Sequence, residues 1–192
     1  MENQPQLSAT AIISPQYCAP ATHPVDLIIT KERTLRDSFT ITDTNNNVVF
    51  TVESSLVTIV TSHEHRFLCD ANGNPVIHLR RSLTATNDTW KAFRGESEES
   101  KDLIFTRKLS SLIQLRTKLN VFLANNNTQD CDFTVKANLS QSSWKVYIGN
   151  SDNLVAQIKK KLGTMFSREK YMVNVSPNMD YAFIVALVVT LD

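Results

Sequence analysis

The chain of 192 residues predicts a mainly β domain, an antiparallel sheet that curls or closes around an apolar C-terminal segment. Three observations lead there. Short apolar runs alternate with polar residues from Val25 to Val175, and Asn/Asp/Ser clusters interrupt them about ten times or more, the signature of hairpin-connected strands. No long strand-to-helix crossover pattern appears, which excludes a doubly wound fold. The window Tyr181–Leu191 carries no charge and is the most apolar of the chain, so it needs a dry place.

Residues 1–24 hold four of the six prolines and are otherwise mostly small or polar. They read as a flexible arm, ordered at most near Tyr17–Pro20, ahead of one domain over 25–192. Strands are expected at Val25–Thr30, Phe39–Thr42, Val48–Val52, Arg66–Cys69, Pro75–Arg80, Thr89–Arg94 and Leu103–Lys108. They continue at Leu112–Leu123, Cys131–Ala137, Ser143–Ile148, Leu154–Lys160 and Tyr171–Val175. Two hairpins look alike, with Asp43-x-Asn45-x-Asn47 and Asp70-x-Asn72-x-Asn74 at their tips. An EF-hand loop needs Gly at its sixth position and Glu at its twelfth; from Asp43 those are Val48 and Ser54, so both loops read as turns, not calcium sites. Period-two alternation turns Cys131, Phe133, Val135 and Ala137 to one face and Asp132, Thr134 and Lys136 to the other. Trp90, Trp144, Cys69 and Cys131 fall on apolar phases and read as core. The run Leu109–Leu123 would also suit a helix face, and its alternation favours strand.

Tyr181–Leu191 is too short for a spanning helix, which takes about 20 apolar residues. A buried helix and a buried strand both remain open on propensity. The helix is favoured by its start: Ser176 or Asn178 as N-cap, Pro177 in the first turn, and Asp180 where the helix dipole favours a negative charge. The expected bounds are about 178–191.

Function is less legible. The net charge of +1 gives no global field for nucleic acid, so direct nucleic-acid binding is not expected and any anion site must be local. Three cysteines without a CxxC pair, and no leader pattern, fit a reducing, cytoplasmic setting. There is no phosphate-cradling glycine loop, nucleophile elbow or dinucleotide fingerprint, so no catalytic residue and no cofactor is assigned, and the chain reads as non-enzymatic. His63 and His65 flank Glu64 and read as exposed loop residues, and His78 as a surface strand residue; two histidines are too few for zinc, so no metal is assigned. The basic residues that could hold an anionic lipid headgroup are Arg107, Lys108, Arg116, Lys118, Lys159, Lys160, Lys161, Arg168 and Lys170, with Arg80-Arg81 weaker. Arg116 and Lys118 project from one side of a strand, whereas Lys159, Lys160 and Lys161 cannot all share a face.

Six stretches in order resemble the plant LURP-one-related proteins, over roughly residues 14–192. They are Tyr17-Cys18-Ala19-Pro20 with Pro24-Val25-Asp26; Phe39-x-Ile41-Thr42-Asp43-x-Asn45; and Trp90-x-Ala92-Phe93-Arg94-Gly95. The others are Gln114-Leu115-x-Thr117-Lys118-Leu119-x-Val121-Phe122-Leu123, Cys131-Asp132-Phe133-x-Val135-Lys136, and Pro177-Asn178-x-Asp180-Tyr181-Ala182-Phe183-Ile184. The resemblance implies a fold similar to the tubby C-terminal domain and the phospholipid scramblases, a closed antiparallel barrel of about twelve strands around a central apolar helix. It also implies a role in plant defence. By analogy with membrane-tethered tubby-like transcription factors, it further implies phosphoinositide binding at the membrane periphery and access to the nucleus. A protein-interaction scaffold in defence signalling without lipid binding is the competing expectation.

Overall fold

The computed structural model describes residues 10–32, 37–55, 63–84, 87–113, 116–161 and 168–191. Twelve strands form a closed antiparallel barrel: β1 (Val25–Glu32), β2 (Ser38–Thr42), β3 (Val48–Ser54), β4 (His63–Asp70), β5 (Pro75–Thr84), β6 (Asn87–Arg94), β7 (Leu103–Ile113), β8 (Arg116–Leu123), β9 (Phe133–Ala137), β10 (Ser143–Ile148), β11 (Leu154–Lys161) and β12 (Glu169–Val175). Each pairs with its sequence neighbour, and β1 closes the ring on β12, Val25 opposite Val175 and Ile29 opposite Tyr171. Closure leaves no sheet edge to guard.

The apolar segment is a helix, α1 (Tyr181–Val188), and it fills the barrel. Ala182 through Val188 are all buried, which only a surrounding wall permits for a helix apolar on every side. Phe105 of β7 and Phe133 of β9 pack on Phe183, ring centroids 5.3 and 4.9 Å away. Trp90 and Trp144 are both in the core. The helix is shorter than the expected 178–191, and its N-cap is Asp180 rather than Ser176 or Asn178. Pro177 and Asn178 form the preceding turn, with Asn178 at φ 62°.

Asp180 also corrects the reading of the arm. One carboxylate oxygen accepts the Phe183 N–H at 3.1 Å; the other accepts the N–H groups of Ile12, Ile13 and Ser14 at 3.0, 2.7 and 3.2 Å. Thr10 and Cys18 bridge to Met179 and Asp180, Arg94 donates to the Ile13 carbonyl, and Ile13 and Ala19 are buried. The described part of the arm, 10–24, is thus laid across the barrel mouth and tied to the helix start. Burial raises the Asp180 carboxyl, against the pull of its four N–H donors.

At the other end, interior charges meet the helix C-terminus. Arg66 of β4 donates to the Val189 carbonyl, and Arg107 of β7 donates to that of Thr190 at 2.9 Å. These carbonyls lie at the C-cap and just past it, where positive charge complements the helix dipole. Glu64 pairs with Arg66 and Arg81, while Asp88 pairs with Arg81 at 2.8 Å and Arg107 at 2.6 Å. The Arg66 guanidinium sits over the Phe39 and Trp90 rings, 5.4 and 4.9 Å from their centroids. Three arginines and two carboxylates therefore plug the barrel around the end of α1.

Both look-alike hairpins turn as expected. Asp43 accepts the N–H groups of Asn45 and Asn47, and Asp70 accepts those of Asn72 and Asn74, with the Asn47 and Asn74 side-chain amides donating back. These bonds hold both carboxyls below their usual value, the side-chain amide first. The expected strand Leu112–Leu123 is broken instead: β7 runs on to Ile113 and pairs back with β8.

Candidate functional site

The described outer wall of β8 to β10 carries an uncompensated row of lysines. Register places Lys118 of β8 opposite Lys136 of β9, and Lys136 opposite Lys145 of β10. Like charges directly opposite on neighbouring strands destabilise a sheet. Among the described residues none of the three has a carboxylate partner. Lys118 reaches only the Asn150 side-chain carbonyl, at 3.4 Å, and Lys136 lies 4.8 Å from the Tyr147 ring centroid. Beside them a groove of about 540 Å³ is lined by Lys136, Asn138, Ser140, Ser143, Lys145 and Tyr147. Leu139, 60% exposed, stands at its rim.

The row continues diagonally. Lys159 of β11, next to Lys145's partner Gln157 in alternation, is exposed, as are Lys161 and Lys170, which face each other across β11 and β12. Lys108 is exposed one step beyond Lys118, over the Phe122 ring. Of the sequence candidates, Lys108, Lys118, Lys159, Lys161 and Lys170 thus present their charges outward. Arg168 is exposed but paired with Glu32 at 2.9 Å. Lys160 is in the inward phase, as the alternation requires, and pairs with Glu169 at 3.1 Å.

Arg107 is a correction: it is 4% exposed and bonded inside the barrel, so it cannot meet a headgroup outside. The side chain of Arg116 lies outside the described residues. Arg81 also points into the interior plug, and Arg80 pairs with Glu98. Lys136 and Lys145 were missed as candidates, although the alternation already turned both toward solvent; only the register of β8, β9 and β10 brings them together.

Other groups are placed as follows. Cys131 is buried, whereas Cys69 is half-buried in the outward phase of β4, not in the core. Burial raises the thiols of Cys18 and Cys69, which leaves them poor nucleophiles at neutral pH. His78 is buried rather than at the surface, and His65 is in β4 rather than a loop. The His63 side chain lies outside the described residues. Among the described residues no helix is long and apolar enough to cross a membrane.

The sequence model of the LURP-one-related family matches residues 25–192. The chain belongs to the LURP-one-related family. It is 42% identical to LURP-one-related 15 of Arabidopsis thaliana over 94% of this chain and 84% of that protein. With LURP-one-related 10 of the same plant it shares 41% identity over 95% of each chain. Among solved structures, an X-ray structure of an Arabidopsis thaliana protein matches at TM-score 0.72 and 37% identity, covering 95% of this chain and 96% of that one. LURP-one-related proteins have a tubby-like fold, and the twelve-stranded barrel with its inner helix is that fold. Neither of the two LURP-one-related relatives carries an enzymatic activity in its name.

Proposed function

We propose that this LURP-one-related chain is a non-enzymatic module that binds anionic phospholipid headgroups, phosphoinositides foremost, through the lysine wall of β8 to β12. The observation that carries this reading is the cross-strand row Lys118–Lys136–Lys145. Three like charges held opposite one another cost stability in the free protein, and a polyanion laid across them removes that cost. Each near-surface charge adds about 1 kcal/mol against an acidic leaflet. The groove beside the row offers hydroxyl and amide donors for phosphate oxygens, and Leu139 can enter the interface between headgroup and acyl chain. The role would be that of a cytoplasmic protein docked at the membrane periphery. A part in plant defence, and a membrane-tethered regulatory role of the tubby-like kind, follow the family resemblance.

Vesicle flotation tests the reading. Vesicles of phosphatidylcholine with phosphatidylinositol 4,5-bisphosphate should retain the protein, and phosphatidylcholine alone should not. Each lysine removed should weaken binding roughly fivefold, the factor for about 1 kcal/mol. Lys118→Glu/Lys136→Glu/Lys145→Glu should abolish it, and salt should weaken it. Equal retention on neutral vesicles, or an unaffected triple variant, rejects the lysine wall and leaves the scaffold reading.

A further inference from the structure

His65, His78 and Glu98 converge on the outside of the barrel, on the opposite flank from the lysine wall. His78 is in β5, 1% exposed, and its ring is fixed from several sides. It stacks on Phe67 of β4 with centroids 4.5 Å apart and planes at 8°, and lies edge to edge with His65, centroids 5.0 Å apart and planes at 15°. Its Nδ1 lies 3.0 Å from the Ser97 backbone carbonyl in the loop after β6. A carbonyl can only accept, so Nδ1 carries the hydrogen and Nε2 presents a lone pair. That lone pair faces His65 Nδ1 at 2.8 Å, which must therefore donate. Glu98 Oε1 stands 3.8 Å from the same His65 nitrogen, and its other oxygen is held by Arg80 at 3.0 Å. One side-chain ligand atom from each of the three residues lies within 4.8 Å of the other two.

We infer that these three side chains form a binding site for a divalent transition metal of the zinc class. The proton shared between the two imidazoles occupies the place that the cation would take. Metal entry moves that hydrogen from His65 Nδ1 to His65 Nε2, and His65 Nδ1, His78 Nε2 and Glu98 Oε1 become the ligands, both imidazoles staying neutral with one N–H each. Zinc takes such nitrogen and oxygen ligands at about 2.0–2.2 Å in tetrahedral array, which sets the two ring nitrogens about 3.3 Å apart. They must therefore separate by about half an ångström from their 2.8 Å contact. Glu98, half-exposed on its loop, can follow. The bond from His78 Nδ1 to a backbone carbonyl is the outer-shell arrangement that fixes a metal-bound histidine. With three protein ligands the fourth position is left to water. Loading would tie β4 and β5 to the segment that leads into β7, because Glu98 and Ser97 both belong to it.

Calorimetric titration of the full, chelator-treated chain with zinc chloride tests this, with magnesium chloride as the contrast. One zinc per chain should bind at micromolar Kd or tighter, with a rise in Tm, and magnesium should not bind. His65→Gln and Glu98→Gln, at positions that leave the core intact, should each weaken zinc about tenfold or more, while the metal-free Tm stays near that of the parent. His78→Gln should remove binding if it folds, but the test does not depend on it. Absence of saturable zinc binding, or binding unchanged by both His65→Gln and Glu98→Gln, overturns the site.

Discussion

Removing Arg107 would break the plug that seats the central helix. The Arg107 guanidinium holds Asp88 at 2.6 Å and the Thr190 carbonyl at 2.9 Å. In Arg107→Leu the carbonyl has lost that donor, and Asp88 keeps only Arg81. Taking one partner from a fully buried ion pair costs about 3–5 kcal/mol; Asp88 is part-exposed and keeps Arg81, so the loss should lie near the low end, about 3 kcal/mol. For a chain of this size each kcal/mol lowers Tm by about 2–4 °C, so Tm should fall by about 6–12 °C. Arg107→Leu/Asp88→Leu should be less damaging than the sum of its parts, with a coupling energy of about 0.5–3 kcal/mol. Urea unfolding followed by tryptophan fluorescence reads the effect, since Trp90 is fully buried against Arg66 and Arg81. A loss below about 1 kcal/mol for the single variant, or strict additivity, would refute the role given to the plug.

Two further outcomes follow from the interior. Ala186→Asp places an unpaired carboxylate at a fully buried position of α1 and should cost more than about 4 kcal/mol; a soluble variant with cooperative unfolding at the parental Tm would contradict a buried central helix. Acid should weaken the plug through Asp88: burial pushes its carboxyl up, but the guanidiniums of Arg107 and Arg81 together outweigh this and hold it below the usual value. A depressed folded value means that its stabilisation is present above the unfolded value of about 3.9 and is lost as pH falls through the folded one. Unfolding curves from pH 5 downward should therefore be flatter for Arg107→Leu/Asp88→Leu than for the parent, and superimposable pH dependence would count against the assignment.

Most of the barrel is legible in the residues because its turns are local chemistry. Asp43 and Asp70 each close a loop with their own neighbours, and strand alternation then sorts Phe133, Val135 and Ala137 inward without help from elsewhere. The break between β7 and β8 is not legible, since the alternation runs straight through it in sequence. The plug is hidden for a related reason. Aligning the two similar hairpins on Phe39 and Phe67 suggests that both rings share a phase. Aligned on Asp43 and Asp70, Phe39 instead matches Arg66, so β4 places a charge where β2 places a ring, and Phe67 faces out. A strand that turns its polar residues inward inverts the apolar signal. The lysine row and the histidine pair lie on adjacent strands but apart in sequence, so each needs register, which single-strand patterns do not contain.

The clasp at Asp180 has a consequence for how the protein is made. Its carboxylate binds the Ile12 N–H, 168 residues away in sequence, and the ring is closed by β1 meeting β12. A nascent chain emerging from the ribosome can zip one hairpin after another. It cannot seal the wall, fill it or anchor its first residues until residue 180 and the helix behind it are free. Until then the inward faces stay wet, and the longest loop closure comes near the end. Acquisition of the native state therefore waits for the last strand and the helix, and the half-built sheet is the stage at which a chaperone has most to shield.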